Sequence, residues 1–146
     1  MSNIAGVLQP TKFLLICIQI ILLSIVLETK NEYIYNGILK TLPDTSDEYK
    51  TAYNYITGIA VIYIICVVLE FIIMFTGMTL FFDKLNLIQL AFHIFGIVAS
   101  ALFVLGNSHY ENLWKVWIVG GVIPLGIEII NAISARVHFK RIMKDF

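Results

Sequence analysis

The sequence predicts an all-α integral membrane protein, a four-helix bundle with both termini in the cytoplasm. Hydrophobic residues make up 59% of the 146 residues and charged residues only 14%, against roughly 25% charged residues in soluble domains. Four apolar runs are separated by polar segments, and a helix needs about 20 residues to cross the hydrocarbon of a bilayer. These runs predict a single transmembrane domain over residues 1–146, with spans near 10–30, 52–82, 85–106 and 113–136 and a main loop over 31–51.

The first apolar run, residues 13–27, is the shortest of the four. Pro10 suits the first turn of a helix, so the span is expected to begin there and to end near Lys30. A cleavable signal peptide is the alternative interpretation. It is disfavoured because Glu28 and the residues around it offer no small-residue cleavage site.

The second helix is expected to begin outside the membrane. Thr45 and Glu48, three residues apart, fit a capping box, and the helix would then run without a break to Phe82. Aromatic residues of three segments would lie at one membrane interface as a belt: Tyr33, Tyr35, Tyr53, Tyr55, Tyr110, Trp114 and Trp117.

A minimal turn, Asp83-Lys84, leads to the third span and predicts that spans two and three are antiparallel neighbours. Gln89, His93, Gly96 and Ser100 follow at offsets of four, three and four, which places them on one helical face. The small residues Gly96 and Ser100 would let a neighbouring backbone approach closely.

The fourth span carries Pro124, Glu128 and Asn131 on one face, extended by small residues at Gly120, Gly121 and Ala135. A carboxylate near the middle of a bilayer costs about 3 kcal/mol on insertion scales, so Glu128 is expected to face protein rather than lipid.

The orientation is predicted from lysine and arginine residues near the membrane. The side that holds both termini has a small excess of them, and four lie in the tail directly after the last span, so both termini are expected in the cytoplasm. The tail is most simply a positive-inside anchor, and an anionic-lipid site is the alternative. Its cations are Arg136, Lys140, Arg141 and Lys144.

Polar residues of different spans are expected to meet inside the bundle. At 1.5 Å per residue, Gln19, Glu128 and His93 lie about 10–14 Å from the cytoplasmic helix ends, and Glu70 lies about 20 Å in. A hydrogen bond between His93 and Glu128 is the first pairing predicted. The predicted interhelical polar contacts are Gln19, Glu70, Gln89, His93, Glu128 and Asn131.

These polar residues suggest three roles. We favour a hydrogen-bonded clasp that holds the helices together, with each contact worth about 0.6 kcal/mol. A proton or cation pathway through Glu70, His93 and Glu128 is the second role, and a lipid or sterol pocket is the third.

Catalysis, cofactors and metals are not expected. The sequence has no nucleophile–base pair or metal-ligand spacing, and Cys17 and Cys66 lie within apolar runs as small hydrophobic residues. The formal net charge is zero, which gives no basis for nucleic-acid binding.

Short segments along nearly the whole chain resemble one known family. They are residues 8–13 (LQPTKF), Glu48-Tyr49, Glu70, residues 77–81 (GMTLF), residues 86–88 (NLI) with His93, and Pro124 with Glu128. In these residues the chain resembles the transmembrane protein 107 family, small four-span proteins of the ciliary transition zone.

The resemblance implies a scaffold rather than an enzyme. Members of this family belong to the Meckel syndrome (MKS) module, where they help to hold other membrane proteins at the ciliary base and support the gate between ciliary and plasma membrane. The expected partners are therefore other membrane proteins of that module and membrane lipids, in a homo- or hetero-oligomer. Glu48 and Tyr49 are the loop residues that the resemblance suggests for partner contact.

Overall fold

The computed structural model describes residues 2–37, 46–77, 83–106 and 108–144. This part of the chain is helical and contains no strand. Four helical segments are long and apolar enough to cross a membrane: Gly6–Glu28, Asp47–Phe75, Lys84–Leu105 and Tyr110–Lys144. The α-helices are α1 (Ser2–Glu28), α2 (Lys30–Gly37), α3 (Asp47–Phe75), α4 (Asp83–Leu105), α5 (Leu113–Trp117) and α6 (Ile123–Lys144).

The first helix begins earlier than predicted. It starts at Ser2 and contains Pro10 in its interior, whereas we expected Pro10 to mark its first turn. About 15 Å of helix therefore precedes Lys12. Lys12 is consequently a residue of the bundle interior and not of a flanking loop.

The predicted loop is partly helical. α2 occupies its first part and buries Tyr33 and Ile34 against the bundle. Ser46 caps α3, because its side-chain oxygen accepts a hydrogen bond from the backbone N–H of Tyr49 at 3.2 Å. The cap predicted at Thr45 lies outside the described residues.

The second span ends earlier than the predicted residue 82. α3 stops at Phe75, and Gly77 follows with a φ of 70°. This left-handed conformation is typical of the glycine that terminates a helix. α4 begins at Asp83, so Asp83 and Lys84 belong to a helix, and the prediction that they form a minimal turn is wrong.

The helices pack in a square arrangement. α1 packs against α3 and α4, and α6 packs against α3 and α4 from the other side. α3 and α4 hardly touch, so the prediction that spans two and three are neighbours is also wrong. α3 and α4 therefore occupy opposite corners of the bundle, and α1 and α6 occupy the other two.

The interior is divided into an apolar half and a polar half. Near α2 the core consists of apolar and aromatic side chains such as Leu23, Ile56 and Leu113, and the rings of Tyr33 and Phe103 lie 4.8 Å apart. Toward the ends of the bundle where the termini lie, buried polar residues from α1, α3, α4 and α6 replace them.

Candidate functional site

The polar half of the interior brings together all six side chains predicted to make interhelical polar contacts. Each is completely buried, with no exposed side-chain surface. We use the name polar layer for the side chains that are joined there: Lys12, Gln19, Tyr63, Glu70, Gln89, His93 and Glu128.

An ion pair joins α1 to α6 across one diagonal of the bundle. The Lys12 Nζ atom lies 2.6 Å from Glu128 Oε2, and only 3% of the Lys12 side chain is exposed. Two charges removed from water in this way are compatible with folding only as a pair, because each compensates the other.

Gln89 of α4 connects this ion pair to the helix backbone. Its Oε1 atom accepts a hydrogen bond from Lys12 Nζ at 2.8 Å, and its Nε2 atom donates to the carbonyl oxygen of Pro124 at 3.1 Å. Both the oxygen and the nitrogen of the Gln89 amide are thereby hydrogen-bonded, and this side chain links α1, α4 and α6.

A second contact joins α3 to α4 across the other diagonal. His93 Nε2 lies 2.9 Å from Glu70 Oε2, and both side chains are completely buried. The distance between the two atoms is that of an ion pair, but their geometry is not that of a hydrogen bond. This contact bridges two helices whose backbones hardly approach each other.

Gln19 of α1 lies between both diagonals. Its Nε2 atom donates to the Tyr63 hydroxyl oxygen at 2.5 Å and to the Gly120 carbonyl oxygen at 2.7 Å, and its Oε1 atom lies 3.0 Å from His93 Nδ1. A carbonyl oxygen can only accept, so the amide nitrogen must face Gly120 and Oε1 must face His93.

This orientation determines where one proton of His93 lies. Because Gln19 Oε1 is an acceptor, the hydrogen is on His93 Nδ1, which donates to it. Nε2 then faces Glu70 either as the second N–H of an imidazolium beside a carboxylate or as a bare nitrogen beside a carboxylic acid. In both states the His93–Glu70 pair is neutral overall, as is the Lys12–Glu128 pair.

Pro124 explains why Gly120 offers a free acceptor. In a regular α-helix the carbonyl of Gly120 would accept the N–H of residue 124, which proline lacks. The backbone forms a π-helical turn over Ile118–Val122 at this point, and Gln19 supplies the missing donor. The proline thus creates the site at which α1 binds the last span.

Glycines allow this close approach. A Cβ atom on Gly96 would lie 2.6 Å from the Cα atom of Gly120, and one on Gly120 would overlap the Tyr63 hydroxyl group. The predicted role of Gly96 as a small residue at a helix contact therefore has a definite partner, the glycine of the π-helical turn.

The predicted hydrogen bond between His93 and Glu128 is wrong. His93 has its two ring nitrogens at Gln19 and Glu70, whereas Glu128 is paired with Lys12. Glu70 was predicted to lie about one turn deeper than His93, but the 2.9 Å contact between the two side chains places them in the same layer.

Other predicted residues have different surroundings. Asn131 is completely buried, yet neither of its amide atoms has a hydrogen-bond partner among the described residues. Glu48 is exposed, and the half-buried Tyr49 donates its hydroxyl hydrogen to Asn31 Oδ1 at 3.0 Å. These two residues lie near the loop, away from the polar layer.

Sequence reasoning missed Lys12 and Tyr63. Lys12 was counted among the flanking cations, because the helix was expected to begin at Pro10. The segment 2–9 is nearly uncharged, which was the available sign that the helix extends in front of Lys12. No feature of the sequence indicated that Tyr63 belongs to the polar layer, because tyrosine is common in apolar spans.

The polar layer offers little that points to reaction chemistry. Glu70, His93 and Glu128 have no exposed surface. Among the described residues there is no group of three or more His, Cys, Asp or Glu side chains that could hold a metal ion. The arrangement links four helices through two charge pairs and through the side-chain amides of Gln19 and Gln89, in which both the oxygen and the nitrogen have a partner.

A comparison with models of protein families identifies the family of the chain. The model of a family described as TMEM107, a transmembrane protein, matches residues 8–132. The chain belongs to the TMEM107 family. The matched region contains every residue of the polar layer, whereas the whole basic tail lies beyond it.

Searches of curated proteins and of solved structures found no match to this TMEM107-family chain.

Proposed function

We propose that this TMEM107-family protein is a non-catalytic membrane scaffold of the ciliary transition zone. It would help to assemble the MKS module and thereby support cilium formation and the gating of ciliary membrane proteins. Membership of the family over residues 8–132 supports this proposal, and four helices able to cross a membrane agree with it.

The observation that carries the scaffold role is the enclosed polar layer. Its two charge pairs join the helices that do not touch directly, α1 with α6 and α3 with α4. Such contacts fix the order and rotation of the helices. A bundle fixed in this way presents a constant outer surface to partners in the membrane, as a scaffold requires.

The outer surface is suited to partners and lipids within the bilayer. Large apolar side chains on it include Ile65 and Ile72 of α3 and Phe95 and Leu102 of α4, all of them exposed. We propose other membrane proteins of the MKS module as the partners, in a homo- or hetero-oligomer. Glu48 is a candidate contact outside the membrane, together with Tyr49 beside it.

Tagging at the native locus in a ciliated cell tests this proposal. The tagged protein should form a focus at the ciliary base, and proximity labelling should recover membrane proteins of the MKS module. A second multi-pass protein of the ciliary membrane, carrying the same labelling enzyme, is the control. Distribution throughout the endoplasmic reticulum or along the whole cilium at native expression would contradict the proposal.

A proton-coupled transporter or ion pathway is the alternative function. In its favour, two acids and a histidine of three helices lie in one layer inside the membrane-spanning bundle, and such residues often mark ion pathways. Against it, none of the three has exposed surface from which a proton could enter.

A further inference from the structure

The last helix continues beyond the bundle as an exposed, two-sided segment. α6 extends to Lys144, and every residue from 136 to 144 is exposed. Three of its cations, Arg136, Lys140 and Lys144, lie on one side of the helix together with Val137, and the opposite side carries His138 and Ile142. Each side continues a stripe that is already present in the membrane-spanning part.

The cations continue the stripe that faces outward. Ile129, Ile133, Arg136, Lys140 and Lys144 follow at offsets of four, three, four and four, so they lie along one side of the helix. Ile129 and Ile133 are exposed on the outer surface of the bundle. After residue 133 the outward side of α6 thus carries lysine and arginine, with the exposed Val137 among them.

The inward stripe continues without lysine or arginine. Pro124, Glu128, Asn131 and Ala135 are buried against the other helices, and His138 and Ile142 continue that side at offsets of three and four from Ala135. Arg136, Lys140 and Lys144 therefore face away from the axis of the bundle.

Depth places these cations among lipid headgroups. The hydrocarbon is about 30 Å thick, which corresponds to about 20 residues of helix. Counted from Trp114, at the aromatic end of the last span, this length ends near residue 134. Residues 136–144 cover a further ~13 Å, so they cross the headgroup region of one leaflet, about 5–8 Å thick, and end just beyond it.

From these observations we infer that the outward face of residues 136–144 binds the anionic headgroups of phospholipids around the bundle. The binding groups are Arg136, Lys140 and Lys144, which lie at or just beyond headgroup depth and face the surrounding lipid, and the exposed Arg141 lies beside them. Lysine and arginine side chains next to a membrane attract acidic lipids in this way. The protein would thus gather acidic lipids around its last helix, whatever protein partners it has.

Energy transfer in nanodiscs tests this inference on the full-length protein. A fluorescent protein fused after Phe146 acts as donor, and tail-labelled phosphatidylserine or tail-labelled phosphatidylcholine acts as acceptor in discs made of phosphatidylcholine. The donor reports only lipid near the tail, so the readout does not depend on how the protein is oriented in a cell. Labelled phosphatidylserine should be enriched several-fold over labelled phosphatidylcholine.

The decisive variant replaces all four cations by glutamine, R136Q/K140Q/R141Q/K144Q. Each cation near the surface adds to the attraction of acidic lipids, so neutralising all four should abolish the several-fold enrichment. High salt should weaken it in the wild type as well. The matched control K30Q/K50Q/K115Q removes cations near the opposite end of the bundle and should keep the enrichment.

Three results would overturn the inference. One is equal energy transfer from the two labelled lipids in the wild type, and another is unchanged enrichment in the glutamine variant. The third is that light scattering shows an oligomer in the wild type but not in the glutamine variant, while the lipid enrichment is unchanged. The cations would then mediate contact between copies of the protein. The thermal unfolding midpoint of each variant shows that the bundle is still folded.

Discussion

Lys12 and Glu128 depend on each other, because both are charged and neither has access to the surface of the bundle. The free energy of such a pair is not the attraction alone. Removing both charges from water costs several kcal/mol for each ion, and the attraction and the hydrogen bond to Gln89 offset that cost. Removing one member of the pair should therefore destabilise the protein more than removing both members.

A double-mutant cycle on this pair should reveal that dependence. Glu128→Leu leaves Lys12 as an unpaired buried cation and should lower the free energy of unfolding by about 3–5 kcal/mol. Glu128→Gln keeps an acceptor but no charge and should have an intermediate effect. Lys12→Met with Glu128→Leu removes both charges and should recover most of the loss. Thermal unfolding in detergent measures all four proteins.

The exposed Glu111 provides the control for this cycle, since Glu111→Leu removes a carboxylate with 65% exposure and should change stability little. If the double variant is as unstable as Glu128→Leu alone, the ion pair is not the reason for the loss.

At the scale of elements, the last span has a π-helical turn followed by a proline, and both features serve one contact. Pro124 cannot donate to Gly120, and the Gln19 side chain occupies that carbonyl at 2.7 Å. A helical irregularity that would be a defect in an isolated helix is here the place where another helix is bound.

Pro124→Ala should weaken this contact, because the new N–H can reach the Gly120 carbonyl and compete with Gln19. We expect Pro124→Ala and Gln19→Leu to be coupled by about 0.5–3 kcal/mol, as is usual for residues of one hydrogen-bond network. The thermal stabilities of both single variants and the double variant give this coupling. Pro10→Ala is the control, since Pro10 is exposed on α1 and should act independently of Gln19. Simple additivity of Pro124→Ala and Gln19→Leu would contradict this account.

The contact of α4 with the π-helical turn predicts a difference between two glycines. Gly96→Ala places a methyl group 2.6 Å from the Gly120 Cα atom, whereas a Cβ atom on Gly126 meets nothing within 4 Å. Gly96→Ala should therefore destabilise the protein by about 1–3 kcal/mol, and Gly126→Ala should be neutral or slightly stabilising. Unfolding midpoints of the two variants test this, and equal midpoints would show that the helices do not approach at Gly96.

At the scale of the whole molecule, the enclosure of the polar layer supports the proposed scaffold function over the alternative of transport. Four helices are joined through side chains that no solvent-exposed surface reaches. A pathway would instead require that water reach Glu70 and Glu128 from both sides of the membrane.

Proton flux into liposomes distinguishes these functions. Liposomes that contain the purified protein and an enclosed pH-sensitive dye should acidify no faster than protein-free liposomes when a proton gradient is imposed. Glu70→Gln, which cannot carry a proton, should give the same rate. A faster rate in the wild type that Glu70→Gln abolishes would support transport and overturn the scaffold proposal.

The sequence by itself determined the all-helical class, the four helices able to cross a membrane and six of the side chains buried in the polar half, although not Lys12 and Tyr63. These properties depend on composition and on the 3.6-residue period, which are local. The positive-inside pattern also predicts that both termini are cytoplasmic, and this orientation stays a prediction.

The pairings were decided only by the tertiary structure. Which cation meets which acid depends on the rotation and height of every helix, and those follow from where the helices end. α1 begins at Ser2, and Lys12 lies inside the bundle beside Glu128. α3 ends at Phe75, and Glu70 lies beside His93. α3 and α4 hardly approach each other and occupy opposite corners of the bundle. Periodicity places a residue on a face, but only packing against the other helices determines which partner that face meets.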